Sequence, residues 1–297
     1  MIRRAIVVRR GLVAFSAALM LAGGVVPGAG SADALPFIPM PNPLPRLSPH
    51  ATQVDLLKSF NRRSRTITKS IPGRIGLAIT PVGSDDTMNF GTVKTARAWS
   101  TLKVPVSIAA ERANGKTVVG DIRSAIRASD NDAAERLWGS LGGDELAVER
   151  VSEVLKEDHD GDTRVLSSIS HPSSFPGYTD WTLARQSVFG AHLPCLPDSG
   201  RVLGYMRTVE ANQKWGVKTM RKRGVTTAVK GGWGPVSDAT GKYVVRQLGV
   251  VTTRRGAFAV SMAALPSSGT FSDGTAMLNR VGKWISGKLN KLPVGGC

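Results

Sequence analysis

Ser100-Thr101-Leu102-Lys103, Ser129-Asp130-Asn131 and Lys230-Gly231-Gly232 carry the residue types that acyl transfer needs. A serine hydroxyl is a weak nucleophile until a neighbouring base takes its proton, and a lysine shielded from water can be that base. A spacing of three sets Lys103 beside Ser100 on one helix face. The following Val104, Val106, Ile108, Ala109 and Ala110 make that helix apolar, so the Lys103 side chain is expected to be partly buried. Each motif also has an ordinary reading. Ser-x-x-Lys can open an exposed helix, Ser-Asp-Asn can cap one, and Lys-Gly-Gly can mark a bulge or a close backbone approach in a strand.

The elements that would position these residues follow from periodicity. Val54, Leu57, Phe60 and Ile67 keep helical spacing over Ala51–Ile67. Arg74–Pro81 and Met88–Arg97 alternate as a strand pair turned at Gly83-Ser84-Asp85-Asp86. Helices are expected over Ser100–Ala113, Val119–Ala128, Asn131–Leu141, Glu145–Lys156, Thr179–Phe189 and Arg201–Gln213, with a loop from Gly161 to Tyr178. Strands are expected at Thr226–Trp233, Tyr243–Thr252 and Ala257–Leu265, with a loop over Pro235–Lys242 and a closing helix at Phe271–Leu289. This order predicts an α/β fold of the α+β kind. One antiparallel sheet is built from both chain ends and flanked by the terminal helices, and the central helices form a second lobe. Sites favour the crevice between such lobes.

The chain has 297 residues, 41% hydrophobic and 21% charged, which is globular composition. Arg3, Arg4, Arg9 and Arg10 precede the apolar run Gly11–Val26, and Ala32-Asp33-Ala34 follows as a cleavage signal. Residues 1–34 therefore read as an export signal of the Sec or twin-arginine type, and the expected location is secreted or cell-envelope-associated. Residues 35–50 are a Pro-rich linker and 51–297 the folded domain; no stable membrane span is expected after cleavage. Without the signal's four arginines and Asp33 the formal charge of +17 becomes +14, which favours anionic cell-envelope polymers or lipid surfaces as partners, beside the plain reading of a solvated basic face. Nucleic acid is not expected, because no aromatic residues interleave with the basic ones.

Two cysteines exclude a Cys-rich scaffold. Cys195 and Cys297 are candidates for a disulfide, with a free or intermolecular Cys297 as the alternative. His50, His159, His171 and His192 show no metal-ligand spacing, so neither a metal site nor a cofactor is expected.

Taken together and in this order, the three motifs resemble the active-site set of the penicillin-recognising serine enzymes, the class A β-lactamases and DD-peptidases. Trp99-Ser100-Thr101-Leu102-Lys103-Val104-Pro105 is similar to the nucleophile segment, and Ala125–Ala134 to the segment around the second serine. The resemblance implies that Ser100 is acylated, Lys103 takes its proton, and Ser129 relays a proton to the leaving nitrogen. It also implies that Lys230 polarises Ser129 and attracts the substrate carboxylate, and that Asn131 bonds the substrate amide. The backbone N–H groups of Ser100 and Trp233 would meet the oxyanion. Substrates would be peptidoglycan-type peptides or β-lactams.

The sequence also departs from that pattern. Gly232 leaves Lys230-Gly231-Gly232 without the Thr or Ser hydroxyl that binds the substrate carboxylate in the family. The interval from Ser100 to Ser129 is short for a class A β-lactamase. The Glu-x-x-Leu-Asn loop, whose glutamate activates the deacylating water, has no counterpart; His171-Pro172 stands near its place, and His171 is either a substitute base or a surface histidine. Slow deacylation of β-lactams is therefore expected. The rival reading is a catalytically inactive envelope-binding protein that keeps the fold.

Overall fold

The computed structural model describes residues 49–167 and 176–297. The export signal, most of the Pro-rich linker and His171 lie outside the described residues. Helix α1 spans Pro49–Ser70, so it already begins where the linker was expected to end. Strands β1 (Gly73–Pro81) and β2 (Met88–Gly91) form the expected hairpin. The second expected strand is divided: β3 (Thr95–Arg97) leaves the main sheet and pairs with β4 (Asp180–Thr182). Thr179–Phe189 is thus not one helix, because Trp181 belongs to β4 and helix α6 runs Leu183–His192.

A short 3-10 turn over Trp99–Leu102 leads into α2 (Lys103–Asn114), so Ser100 stands in that turn rather than in the α-helix. The lobe continues with α3 (Val119–Arg127), α4 (Asn131–Gly139) and α5 (Asp144–Glu157). Helix α7 covers Gly200–Arg207, shorter than expected, and a separate 3-10 turn takes up Ala211–Gln213. Strands β5 (Thr226–Ser237), β6 (Thr240–Thr253) and β7 (Gly256–Pro266) are longer than their hydrophobic cores suggested, because the residues read as a loop at Pro235–Lys242 extend the β5–β6 hairpin. Helix α8 (Phe271–Lys288) follows.

The main sheet is antiparallel, in the order β2-β1-β7-β6-β5, so both chain ends build it as expected. Alternation gives each face its own cover. On one face α1 and α8 pack over Ile75, Leu77, Val245, Val260 and Met262. Phe60, Phe90 and Trp284 meet there with ring centroids 5.0–5.6 Å apart. On the other face α6 meets β1 and β7, and Leu248 joins the core of the helical lobe. Strand β5 is a free edge of the sheet.

Cys195 and Cys297 form a disulfide with Cα atoms 5.3 Å apart, separated by 102 residues. It holds the C-terminal tail, whose Gly295 pairs with Ala257. In the chain-entropy account such a ring contributes about 4–5 kcal/mol by restricting the unfolded chain. Cys297→Ser should therefore lower the urea midpoint strongly without changing secondary structure, and equal midpoints for oxidised protein and variant would contradict that account. Among the described residues, no helix is long and apolar enough to cross a membrane.

Candidate active site

Three elements converge at the β5 edge. Trp99 N–H donates to Gly177 O at 2.7 Å and Ala98 N–H to Thr179 O at 2.7 Å, which fixes the backbone entering the Ser100 turn. Buried Arg246 on β6 supports the same region, donating Nη1 to Ala96 O (2.5 Å), Arg97 O (3.1 Å) and Trp181 O (3.2 Å), and Nη2 to Gln186 Oε1 (2.8 Å). The turn lies directly on β5: a Cβ at Gly232 would stand 2.7 Å from Ala98 O and 3.2 Å from Thr101 N. Only glycine allows the strand and the turn to approach this closely.

Ser100 is half-buried, and among the described residues its Oγ has no hydrogen-bond partner. Lys103, one turn on, is 1% exposed. Its Nζ reaches across to the α3–α4 junction, donating to Ser129 O (2.8 Å), Asp130 O (3.0 Å) and Asn131 Oδ1 (2.8 Å). Burial pulls the Lys103 ammonium down to about 7, against the attraction of Asp130 and Glu135. Three oxygen acceptors favour the charged form; the neutral form supplies a lone pair for base chemistry.

The Ser129-Asp130-Asn131 segment caps α4 and meets both buried lysines. Asp130 Oδ1 accepts from Ala133 N–H at 3.0 Å and caps α4. Ser129 adopts φ +65°, a left-handed conformation that a serine takes only when its surroundings hold it. This conformation leaves its Oγ accepting from Lys230 Nζ at 2.9 Å, with its own proton still to donate. Exposed Asn131 has its Oδ1 occupied by Lys103, so its amide N–H groups are the part left for a ligand.

Lys230 is fully buried on β5. Besides Ser129, its Nζ donates to Gln213 Oε1 (2.8 Å) and Gly231 O (2.9 Å). Burial first, and the nearby charge of Lys103 second, press its pKa well below the ordinary lysine value. The two lysines share Ser129, one on its carbonyl and one on its hydroxyl, so their titrations are coupled.

Gln213 was not visible as a site residue in the sequence. Its Oε1 also accepts from Gly231 N–H at 2.9 Å, while its Nε2 is anchored on Ile126 O and Arg127 O at 2.8 Å each. It therefore ties α3 to β5 and fixes the lysine between them. The Gly231 bond also shows which way the strand faces. Its N–H points off the free edge rather than toward β6, and alternation points the Trp233 N–H the same way, beside the Ser100 turn.

The hydroxyl missing at Gly232 has a steric reason in the Ala98 carbonyl that a Cβ there would strike, and neighbouring Gly231 is hemmed in on its own side. A Cβ at Gly231 would lie 2.6 Å from Trp215 Cζ2 and 3.4 Å from Trp233 Cζ3, so indole rings fill the space of a larger side chain. Among the described residues the one cluster of possible metal ligands, Asp85, His159 and His192, lies elsewhere.

No family model and no curated protein matches the sequence. Solved structures do. A point mutant of the class A β-lactamase of the last common ancestor of Gram-negative bacteria superposes with TM-score 0.62 at 16% identity, covering 78% of this chain and 98% of its own. A class A β-lactamase representative from Bacteroides cellulosilyticus gives 0.64 at 15%, covering 80% and 99%. The fold is the class A β-lactamase fold. A third match, the class A β-lactamase from Mycobacterium abscessus, gives 0.60 at 15%, covering 78% and 99%. Near-complete coverage of those β-lactamases means that sheet, terminal helices and helical lobe all correspond, at an identity that leaves the chemistry to the residues themselves.

Proposed function

We propose that the chain is an exported serine acyl-enzyme acting on peptidoglycan-type peptides or β-lactams, with Ser100 as nucleophile. The observation that carries this reading is the pair of buried lysines meeting on Ser129 beside the Ser100 turn. Two desolvated cations in one pocket are costly, and such placement is typical of sites that use depressed lysine pKa values. Ser100 Oγ attacks the carbonyl carbon while its proton passes to neutral Lys103. The C–N bond then breaks, and Ser129 gives its proton to the leaving nitrogen and is reprotonated by the proton that Lys103 took, with Lys230 holding the Ser129 oxygen. The N–H groups of Ser100 and Trp233 receive the oxyanion, a contribution commonly worth ~3–4 kcal/mol. Export is supported by the arginine-flanked apolar N-terminus and by the Cys195–Cys297 bond, which suits an oxidising compartment.

Deacylation of β-lactams is slow in this reading, because the loop glutamate motif is missing from the sequence. Intact-mass spectrometry after incubation with a penicillin provides the test. A persistent adduct of one penicillin per chain, mapped to the Ser100 peptide, is the expected result. Rapid turnover with no adduct would remove the slow-deacylation step. Neither adduct nor turnover by folded protein would favour the inactive envelope-binding alternative, for which Gly232 in place of a hydroxyl residue and the short Ser100–Ser129 interval are the motivating observations.

A further inference from the structure

Far from Ser100, with β7 and β6 between it and the β5 edge, a second group of chemically capable side chains converges. Asp85 belongs to the β1–β2 turn, His159 follows the end of α5, and His192 is the last residue of α6. His159 Nδ1 stands 3.1 Å and His192 Nε2 2.8 Å from the same oxygen, Asp85 Oδ1. The imidazoles stack, with centroids 3.7 Å apart and planes 14° from parallel. The three possible ligand atoms all lie within 4.8 Å of one another.

We propose that Asp85, His159 and His192 bind one borderline divalent metal ion of the zinc class. Two imidazole nitrogens and a carboxylate oxygen are the donor set that such ions take in three-ligand sites, with a fourth position left to water or another ligand. Tetrahedral ligands ~2.1 Å from zinc stand ~3.4 Å from each other. Asp85 must therefore retreat by a few tenths of an ångström and the stacked rings must tilt so that both in-plane nitrogen lone pairs meet one ion, movements open to the exposed Asp85 and His159 side chains. Each neutral ring carries its N–H on the nitrogen away from the metal, so the ion replaces the two hydrogen bonds that now join the rings to Asp85.

The surroundings bring the three residues together before any ion arrives. Gly83 N–H donates to Ala191 O at 3.1 Å, Ser84 N–H to Pro81 O at 3.1 Å, and Asp86 N–H to Ser84 Oγ at 3.0 Å, which fix the Asp85 turn against the end of α6. A Cβ at Gly83 would meet Gly296 O at 2.7 Å, so the turn also rests on the tail that Cys195–Cys297 clamps. His159 sits at φ +61°, turned out of α5 toward the other two residues. The bound ion would cross-link the sheet hairpin to the helical lobe.

Zinc titration of the full, untagged, disulfide-bonded chain by calorimetry tests this, after chelator treatment and dialysis. The expected result is one ion per chain, a melting temperature that rises with zinc, and a visible cobalt spectrum of four-coordinate intensity. His159→Asn keeps a residue that tolerates the left-handed backbone; Asp85→Asn keeps the shape of the exposed turn. Each should weaken zinc by at least about tenfold, the lower end of what even outer partners of metal sites contribute. Both variants should still be labelled by penicillin as the parent is, which separates this site from the Ser100 chemistry. No binding by the parent at millimolar zinc, or equal binding by both variants, would overturn the proposal.

Discussion

Ser100→Ala should abolish covalent labelling by fluorescent penicillin while leaving the circular dichroism spectrum and melting temperature nearly unchanged. Ser100 Oγ makes no hydrogen bond among the described residues, so its removal sacrifices no structural contact. Buried Lys103 and Lys230 keep their bonds to half-buried Ser129, through its O and Oγ. The loss should be total rather than partial, because the neighbouring hydroxyls are engaged, Thr101 Oγ1 on Ala98 O and Ser129 Oγ on Lys230 Nζ. Persistent labelling of the alanine variant would assign the acylated oxygen elsewhere and undo the proposed chemistry. Labelling absent from folded parent and variant alike would favour the envelope-binding alternative.

The second large effect concerns the base. Lys103 has its pKa pulled to about 7, so its neutral fraction grows as pH rises through neutrality. A base must be unprotonated, hence the acylation rate should climb between roughly pH 6 and 8, by up to about tenfold per unit on the acid side. An exposed lysine near its ordinary value would place that rise some three units higher. Lys103→Met should lower the acylation rate by ~10²–10⁴, the usual share of a positioned base, and flatten the profile. Stopped-flow measurement with a chromogenic cephalosporin supplies both rates. An unaltered profile in the methionine variant would show that the proton goes to another group.

Much of this architecture was legible because long elements announce themselves by period. The strands at residues 74–81, 226–233, 243–252 and 257–265 alternate over enough positions to be read, and the amphipathic faces of α1 and α8 are equally plain. Strands β3 and β4 have three residues each, too few for any alternation to show, and β4 runs straight into the helical period of α6. Pro235 and the polar residues after it read as a loop, yet an edge strand tolerates proline where its N–H would face away from the ladder.

The site was legible as motifs but not as a network. Helical spacing predicts Lys103 beside Ser100, yet it could not show that the long side chain spans to Ser129 O and Asn131 Oδ1. Gln213 carries no motif; its role comes from where a 3-10 turn delivers one amide. The steric reason for Gly231 lies in Trp215, which the tertiary fold brings against the strand. The histidine pair escapes a reading by spacing because His159 and His192 stand 74 and 107 residues from Asp85, and spacing rules see only ligands that share a segment.

The bond between Cys195 and Cys297 has a topological result as well as an energetic one. It closes a covalent loop around β5, β6, β7 and α8, and the basic, fully exposed stretch Arg221–Gly224 lies inside that loop. A protease that severs the chain at this stretch leaves two pieces that stay tethered, with Ser100 and Lys103 on one and Lys230 on the other. Such a nick cannot by diffusion alone part the nucleophile from the strand that faces it.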